Sequence, residues 1–304
     1  MKVIFSCLSS KRSVLFFTLL AFLSSSSFSQ VCNLSSLPSN LRNGLVAFYP
    51  FCGNANDVSG NNNSLQSYGL TSTTDRFGIA SSAYSFSNTQ TSVTSYLKAT
   101  NPTPFATSNY TISAWFNSSQ FYPNISGVTY NYQSIVFYSP QWYQYGPAYH
   151  LALQHANNSI LEGGNWTASN AGQNVTTTNG SISVNQWYHA VLTYDGATIK
   201  MYLNGSLIGS AAASLSYANQ VQFLIGGAGD GPSPGGIYGG FNGKLDDIGF
   251  WSRPLCAAEI SQLYSQTSTN MPVSSFSINP FSDTTEVCGT STTLNAGTGY
   301  STYS

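Results

Sequence analysis

The chain has 304 residues, a formal net charge of -1 and 6% charged residues, against about 25% in an ordinary soluble domain. That balance excludes the basic footprint of a nucleic-acid binder and a polybasic membrane patch. With 41% hydrophobic and 14% aromatic residues the chain is not a disordered one. Ser, Thr, Asn, Gly and Tyr supply the polarity, which suits an extracellular β-protein.

Residues 1–29 have the form of an export signal. Lys2, Lys11 and Arg12 precede an apolar run from Val14 to Leu23, and the small Ser27 and Ser29 stand before Gln30. The run is short for a bilayer span, which sets a retained anchor behind a cleaved signal. Val31 before Cys32 does not fit a lipid-attachment site. Cys7 leaves with the signal, and Cys32, Cys52, Cys256 and Cys288 then allow three pairings. No C-x-x-C or Cys/His cluster points to zinc or redox chemistry.

Residues 30–43 read as a short polar lead-in. Residues 44–51 (GLVAFYPF) form a strand, with Pro50 confining it to an edge or an end. Residues 52–64 (CGNANDVSGNNNS) are a loop with no apolar period. Residues 110–116, 133–138 and 149–154 alternate as strands. Between the last two lies an aromatic loop, 139–148, that contains Pro140 and Pro147.

The clearest stretch is 186–206, QWYHAVLTYDGATIKMYLNGS. Trp187, His189, Val191 and Thr193 face one way, and Tyr188, Ala190, Leu192 and Tyr194 the other. Asp195-Gly196 makes a turn, Ile199, Met201 and Leu203 form the next apolar face, and Asn204-Gly205 supplies a second turn. Residues 221–225 are a further strand, 226–240 a Gly/Pro loop and 241–251 the last long strand. Residues 253–264 carry the one helical signal, with Leu255, Ile260 and Leu263 on one face. Residues 267–275 have linker composition. From Phe276 alternation resumes, over too few residues to close a core, so the chain is expected to be the N-terminal piece of something longer.

Several of these motifs resemble LamG-like jellyroll domains of the concanavalin A-like lectin/glucanase superfamily, and they stand in that family's order. They are LVAFYPFCGNANDVSGN at 45–61, DRFG at 75–78, SAYSF at 82–86, TISAWF at 111–116, WYHAVLTYDG at 187–196, IKMYLNG at 199–205, GKLDDIGFW at 243–251 and RPLCAAEISQLY at 253–264. The resemblance covers 44–264, with the module bounded at 44–266. It implies an all-β fold, a two-sheet antiparallel jellyroll sandwich with one short C-terminal helix. Residues 276–304 resemble the start of an Ig-like or PKD-like repeat in the same kind of large secreted bacterial protein. The family order sets the 44–51 strand beside the 241–251 strand, and hence Cys52 beside Cys256, for which a disulfide is expected. Cys32 is left without a clear partner, and Cys288 is expected to pair beyond the chain's end.

Hydrolytic chemistry finds little support. A glycosidase needs two carboxylates flanking the scissile bond, whereas the mature chain has Glu162, Glu259 and Glu286 far apart in sequence, and Glu162 stands alone in LEGG. The E-x-D-x-x-E strand of the superfamily's glucanases is absent. There is no G-x-S-x-G elbow, P-loop or dinucleotide fingerprint. His189 reads as a structural histidine, and His150 and His155 as weak metal ligands. The chain is therefore expected not to be an enzyme, a glycoside hydrolase-related domain being the alternative.

Calcium is the one ion the loops suggest. Asp57, Asn62 and Asp246 would supply hard oxygen ligands, since in related modules the first loop and the closing strand lie together around a structural ion. Strand alternation sends Asp246 and Asp247 to opposite faces, so only one would reach that loop. The alternative is an Asx/Gly turn and a salt-linked aspartate pair. The aromatics Tyr138, Trp142, Tyr143, Tyr145, Tyr149 and Trp166 offer stacking faces for sugars, with Trp142, Tyr143, Tyr145 and Tyr149 as the ligand-binding candidates; the alternative is that they pack the loop onto the sandwich. Trp115, Trp187 and Trp251 are expected in the core. The expected function is a secreted or cell-surface recognition and adhesion module for polysaccharide or glycoprotein glycans, the alternative being a structural spacer.

Overall fold

The computed structural model describes residues 32–123, 132–140, 148–154, 159–166, 172–217, 220–229 and 236–265. In chain order the strands are β1 (Leu45–Tyr49), β2 (Leu65–Tyr68), β3 (Thr71–Thr73), β4 (Ala83–Ser87), β5 (Tyr96–Ala99), β6 (Tyr110–Ser118), β7 (Gln133–Pro140), β8 (Tyr149–Leu153) and β9 (Leu161–Trp166). They continue with β10 (Gly172–Thr176), β11 (Tyr188–Tyr194), β12 (Thr198–Leu203), β13 (Ser206–Ala212), β14 (Gln220–Ile225), β15 (Ala228–Gly229), β16 (Ile237–Tyr238) and β17 (Asn242–Trp251). Two short helices, α1 (Ser39–Arg42) and α2 (Ala257–Ser265), flank them.

The strands form two large antiparallel sheets. The eight-stranded sheet runs β13-β12-β11-β6-β17-β4-β3, with β1 also paired to β17; the seven-stranded sheet runs β10-β9-β8-β7-β14-β5-β2. The hairpin read from sequence is present as β11–β12, with Tyr194 opposite Ile199. The next turn, from β12 into β13, has Asn204 and Gly205 at φ 50° and 78°, the positive pair that a tight turn between right-twisted strands needs. The expected meeting of first and last strands is also present: Tyr49 lies opposite Ile248, and Leu45 opposite Trp251.

Alternation decides what fills the space between the sheets. Tyr188, Ala190, Leu192 and Tyr194 of β11 point inward, as do Ile112, Ala114 and Phe116 of β6 and Tyr149, Leu151 and Leu153 of β8. The two layers approach closely at Gly163, where an added Cβ would stand 3.1 Å from Leu192 and 3.4 Å from Met201 of the facing sheet.

A second apolar cluster lies on the outer face of the eight-stranded sheet. Phe48, Val191, Tyr202 and Trp251 are covered there by Leu37 and Leu41 from the N-terminal segment and by Leu255, Ile260 and Leu263 from α2. The 30–43 stretch is thus more than a polar lead-in, because Leu37 and Leu41 are fully buried. The Trp251 indole donates to Leu41 O at 2.6 Å, and Arg253 donates to Asn43 O and Asn40 O while gripping Glu259 through both nitrogens at 2.7 and 2.8 Å. Glu259 Oε2 also accepts the Cys256 N–H, a capping arrangement that starts α2.

Three expectations are corrected. Cys52 is bonded to Cys32, not to Cys256, although Cys256 is itself disulfide-bonded. The cause is the docked N-terminal segment, which brings Cys32 within 5.8 Å Cα–Cα of Cys52. Of the three tryptophans expected in the core only Trp251 is buried; Trp115 and Trp187 face outward and are half-buried. Asp246 and Asp247 do not go to opposite faces. Asp247 has φ 43° and the register slips between Asp246 and Gly249, a bulge that turns both carboxylates toward the same Arg76 Nη1, at 2.9 and 2.7 Å.

Peptide mapping without reduction is expected to recover Cys32 joined to Cys52. A loop of this length contributes about 3 kcal/mol in the chain-entropy model, so a Cys32→Ser/Cys52→Ser chain should unfold at correspondingly lower denaturant.

Candidate functional site

The seven-stranded sheet carries the polar, aromatic face expected of a binding surface. Because Tyr149, Leu151 and Leu161 point inward, His150 and Glu162 are turned outward on neighbouring strands. His150 Nε2 lies 3.0 Å from Glu162 Oε1, and Gln154 Nε2 donates to Glu162 Oε2 at 3.0 Å. Glu162 is 19% exposed and so can be reached from solvent. Burial alone would raise its carboxyl, but the hydrogen bond and charge of His150 and the bond from Gln154 outweigh it and hold the group below its usual value.

Rings flank this trio. Trp166, at the end of β9, lies half-buried against Gly172, where an added Cβ would stand 2.9 Å from the indole. On the other side Phe137 is stacked on Tyr132 at 5.8 Å, and Tyr132 meets Tyr238 edge-on. Further along the sheet Tyr68 and Tyr96 stack at 4.6 Å, with Tyr68 38% exposed. On the outer face of this sheet four buried polar atoms of β7, β8, β9 and β14 have no hydrogen-bond partner among the described residues: Ser134 Oγ, His150 Nδ1, Trp166 Nε1 and Gln222 Oε1. Buried groups left in this way mark a place where water or a ligand is received.

The outer face of the other sheet is built differently. Arg76 is sandwiched between Phe77 and Trp115, at 4.4 and 4.5 Å from the ring centroids, and bonds both Asp246 and Asp247. Burial, and then the Asp247 charge, push the Asp246 carboxyl well above the usual range against the pull of Arg76. Beside them His189 Nε2 bonds Ser113 Oγ at 2.8 Å, and the imidazole lies against Trp115. Burial and then the charge of Arg76 push this imidazole down to about 3. It is 1% exposed, and the cluster serves as a buried polar brace of the sheet.

The sequence-derived site residues fare unevenly. Tyr149 is fully buried in the core, and its hydroxyl donates to Phe105 O. Strand alternation sends it inward and its neighbour His150 outward, so it is not a ligand contact. Trp142, Tyr143, Tyr145 and His155 lie outside the described residues, as do 1–31 and 266–304. Asp57 faces protein donors on both oxygens: Phe48 N–H and Ser59 N–H on Oδ1, Ser59 Oγ–H and Asn63 N–H on Oδ2, at 2.8–3.0 Å. Asp246 is held by Arg76. Both aspartates are thus engaged by protein partners, and among the described residues no three His, Cys, Asp or Glu are placed to hold a metal ion.

The sequence profile of the concanavalin A-like lectin/glucanases superfamily matches residues 90–261, more than half of the chain. The chain belongs to that superfamily. Solved structures with the same fold include domain 4 of AbnA, a GH43 extracellular arabinanase from Geobacillus stearothermophilus, in complex with arabinotriose. It is 16% identical with a TM-score of 0.53, over 73% of this chain and 98% of that one. The receptor-binding domain of botulinum neurotoxin C/D mosaic serotype is also 16% identical with a TM-score of 0.53, over 73% of this chain and 51% of that one. The binding domain of Paraclostridial Mosquitocidal Protein 1 gives 16%, 0.53, 74% and 52%. The chain thus spans about half the length of these toxin domains. No curated protein matches it. Among the described residues no helix is long and apolar enough to cross a membrane.

Within this superfamily fold, sequence reasoning singled out Glu162, His150 and Trp166 but not the polar residues around them. Gln154, Ser134 and Gln222 join the surface only through cross-strand register, and a single polar residue in an alternating strand carries no such signal.

Two outcomes follow from this chemistry. An unfolded histidine takes up a proton below about pH 6.5, whereas folded His189 does so only near 3. Stability should therefore fall with acid by about 1.4 kcal/mol per pH unit through this window. In urea melts between pH 6.5 and 5, where carboxylates contribute least, His189→Gln should flatten that slope. With four donors already facing Asp57, the melting temperature is expected to be equal in EDTA and in millimolar calcium; a clear rise with calcium would show an oxygen cage.

Proposed function

We propose that the chain is a non-catalytic recognition module that binds neutral glycan on the outer face of its seven-stranded sheet. The observation that carries this is the grouping, on the outer face of one sheet, of four buried polar atoms without partners among the described residues around the Glu162–His150–Gln154 trio, with Trp166 half-buried beside them. Sugar recognition needs this combination: carboxylate, imidazole and carboxamide groups for ring hydroxyls, and an aromatic face for the C–H side of the ring. The superfamily assignment and the arabinotriose bound by the AbnA domain support the reading.

Hydrolysis is disfavoured by the same geometry. Among the described residues Glu162 is the one carboxylate on this face; the others lie in loops, on β17 or on α2. A glycosidase pair requires a second carboxylate within several ångströms and a raised acid, whereas Glu162 is lowered. A secreted or cell-surface setting fits the Cys32–Cys52 disulfide.

Retention on a panel of insoluble neutral polysaccharides, with reducing-sugar release assayed in parallel, tests the proposal. Wild type should be retained without releasing sugar. Trp166→Ala and Gln154→Ala should each weaken retention by about tenfold, a loss of about 1.4 kcal/mol, with melts within a few degrees of wild type. Trp142→Ala and Tyr145→Ala report whether the 139–148 loop contributes. Failure of wild type to bind any glycan would leave a structural spacer.

A further inference from the structure

A second polar cleft lies away from that face. It has a volume of about 330 Å³ and is lined by Asn61, Asn62, Asn63, Thr100, Asn101 and Pro104 among others, which is within the size range of small-molecule sites. It lies just beyond the Leu65–Ala99 pair, where the chain enters β2 and leaves β5. The trio around Glu162 stands on β8 and β9, three to five strands away, or roughly 15–25 Å at ordinary strand spacing.

We propose that this cleft is a separate binding site for a neutral, hydroxyl-rich ligand, one or two sugar residues in extent. The proposal rests on the recognition reading above but places binding on a different surface. No lining side chain carries a charge, so an ionic ligand would enter without a counter-charge. The wall is mostly carboxamide and hydroxyl, which match sugar hydroxyls as both donors and acceptors, while the Pro104 ring offers an apolar patch for C–H groups.

The wall is also held in place before any ligand arrives. Asn61 Nδ2 donates to Leu45 O and Asn63 Nδ2 to Val46 O, each at 2.9 Å, and the Tyr49 hydroxyl donates to Asn63 O at 2.6 Å. Asp57 fastens the same loop through the Asn63 N–H. With their nitrogens fixed on β1, the Oδ1 atoms of Asn61 and Asn63 accept no hydrogen bond from the described residues, and the Asn62 carboxamide and Thr100 hydroxyl make none with them. Asn101 Oδ1 accepts the Thr103 N–H, which leaves its Nδ2 as a donor. A loop already ordered loses little entropy when it binds.

The test is a titration of the 15N-labelled full chain with arabinotriose, cellotriose and mannotriose at millimolar concentration, and with trigalacturonate as the charged control. Amide shifts at 61–64 and 99–103 with a neutral trisaccharide, and none with trigalacturonate, are expected. Asn62→Gly tolerates the φ of 61° at that position, Asn101→Asp retains the acceptor for Thr103 N–H, and Thr100→Val keeps the residue's shape. Each should weaken binding by about tenfold with an unchanged melt. Wild-type affinity in all three variants, or equal binding of trigalacturonate, would overturn the inference. Shifts confined to residues such as His150, Gln154, Glu162 and Trp166 would also overturn it while leaving the recognition reading intact. Silence at both places with every saccharide would overturn both.

Discussion

The closing strand β17 is the constraint on which the rest depends. One of its edges pairs with β6 along nearly its whole length; the other pairs with β4 over 242–245 and then with β1 over 248–251. The strand therefore joins the beginning, the middle and the end of the module in one ladder. It also serves both apolar clusters, since Leu245, Ile248 and Phe250 point between the sheets while Trp251 points outward beneath Leu37 and Leu41. Pairing of such distant segments is slow to form and holds only when the entire chain has folded.

The change of partner from β4 to β1 falls at the Asp246–Asp247 bulge. A bulge frees a strand from regular pairing and bends it, and here it brings two carboxylates beside Asp75 with Arg76 as their counter-ion. Desolvating charges is expensive unless they are paired. Aromatic contacts from Phe77 and Trp115 complete the surroundings of Arg76. A device of this kind fixes register more than it adds stability: a one-residue slip would leave a buried carboxylate without its cation.

The two sheets divide the work of the molecule. The eight-stranded sheet is covered by α2 and the N-terminal segment, which Arg253 and Trp251 fasten down. The seven-stranded sheet carries polar and aromatic side chains instead, with Glu162 reachable from solvent. Rigid strands hold these groups in fixed positions, as a recognition surface requires. Glu162 is kept ionised by His150 and Gln154, so it can accept hydrogen bonds but is poorly suited to donate a proton.

Local pattern determined the strands and turns, while the jellyroll itself was implied by the resemblance of the motifs, in their order, to LamG-like domains. Alternation in 187–194 and 199–203, the positive-φ turn at Asn204-Gly205 and the helical spacing of 255–264 are properties of neighbouring residues, and each is legible without the rest of the chain. The pairing of β1 with β17 followed from the order of motifs. Tertiary structure alone decided the disulfide, because Cys32 reaches Cys52 only when Leu37 and Leu41 are buried on a sheet made by distant strands. It also decided the shared face of Asp246 and Asp247, since a bulge breaks the period-two rule from which their separation was read. The site depended on it most. Tyr149 and His150 are adjacent in sequence, and which of them meets solvent is settled by the side of the sheet on which the other layer packs; likewise Glu162 gains His150 and Gln154 as partners only through the register of β8 on β9.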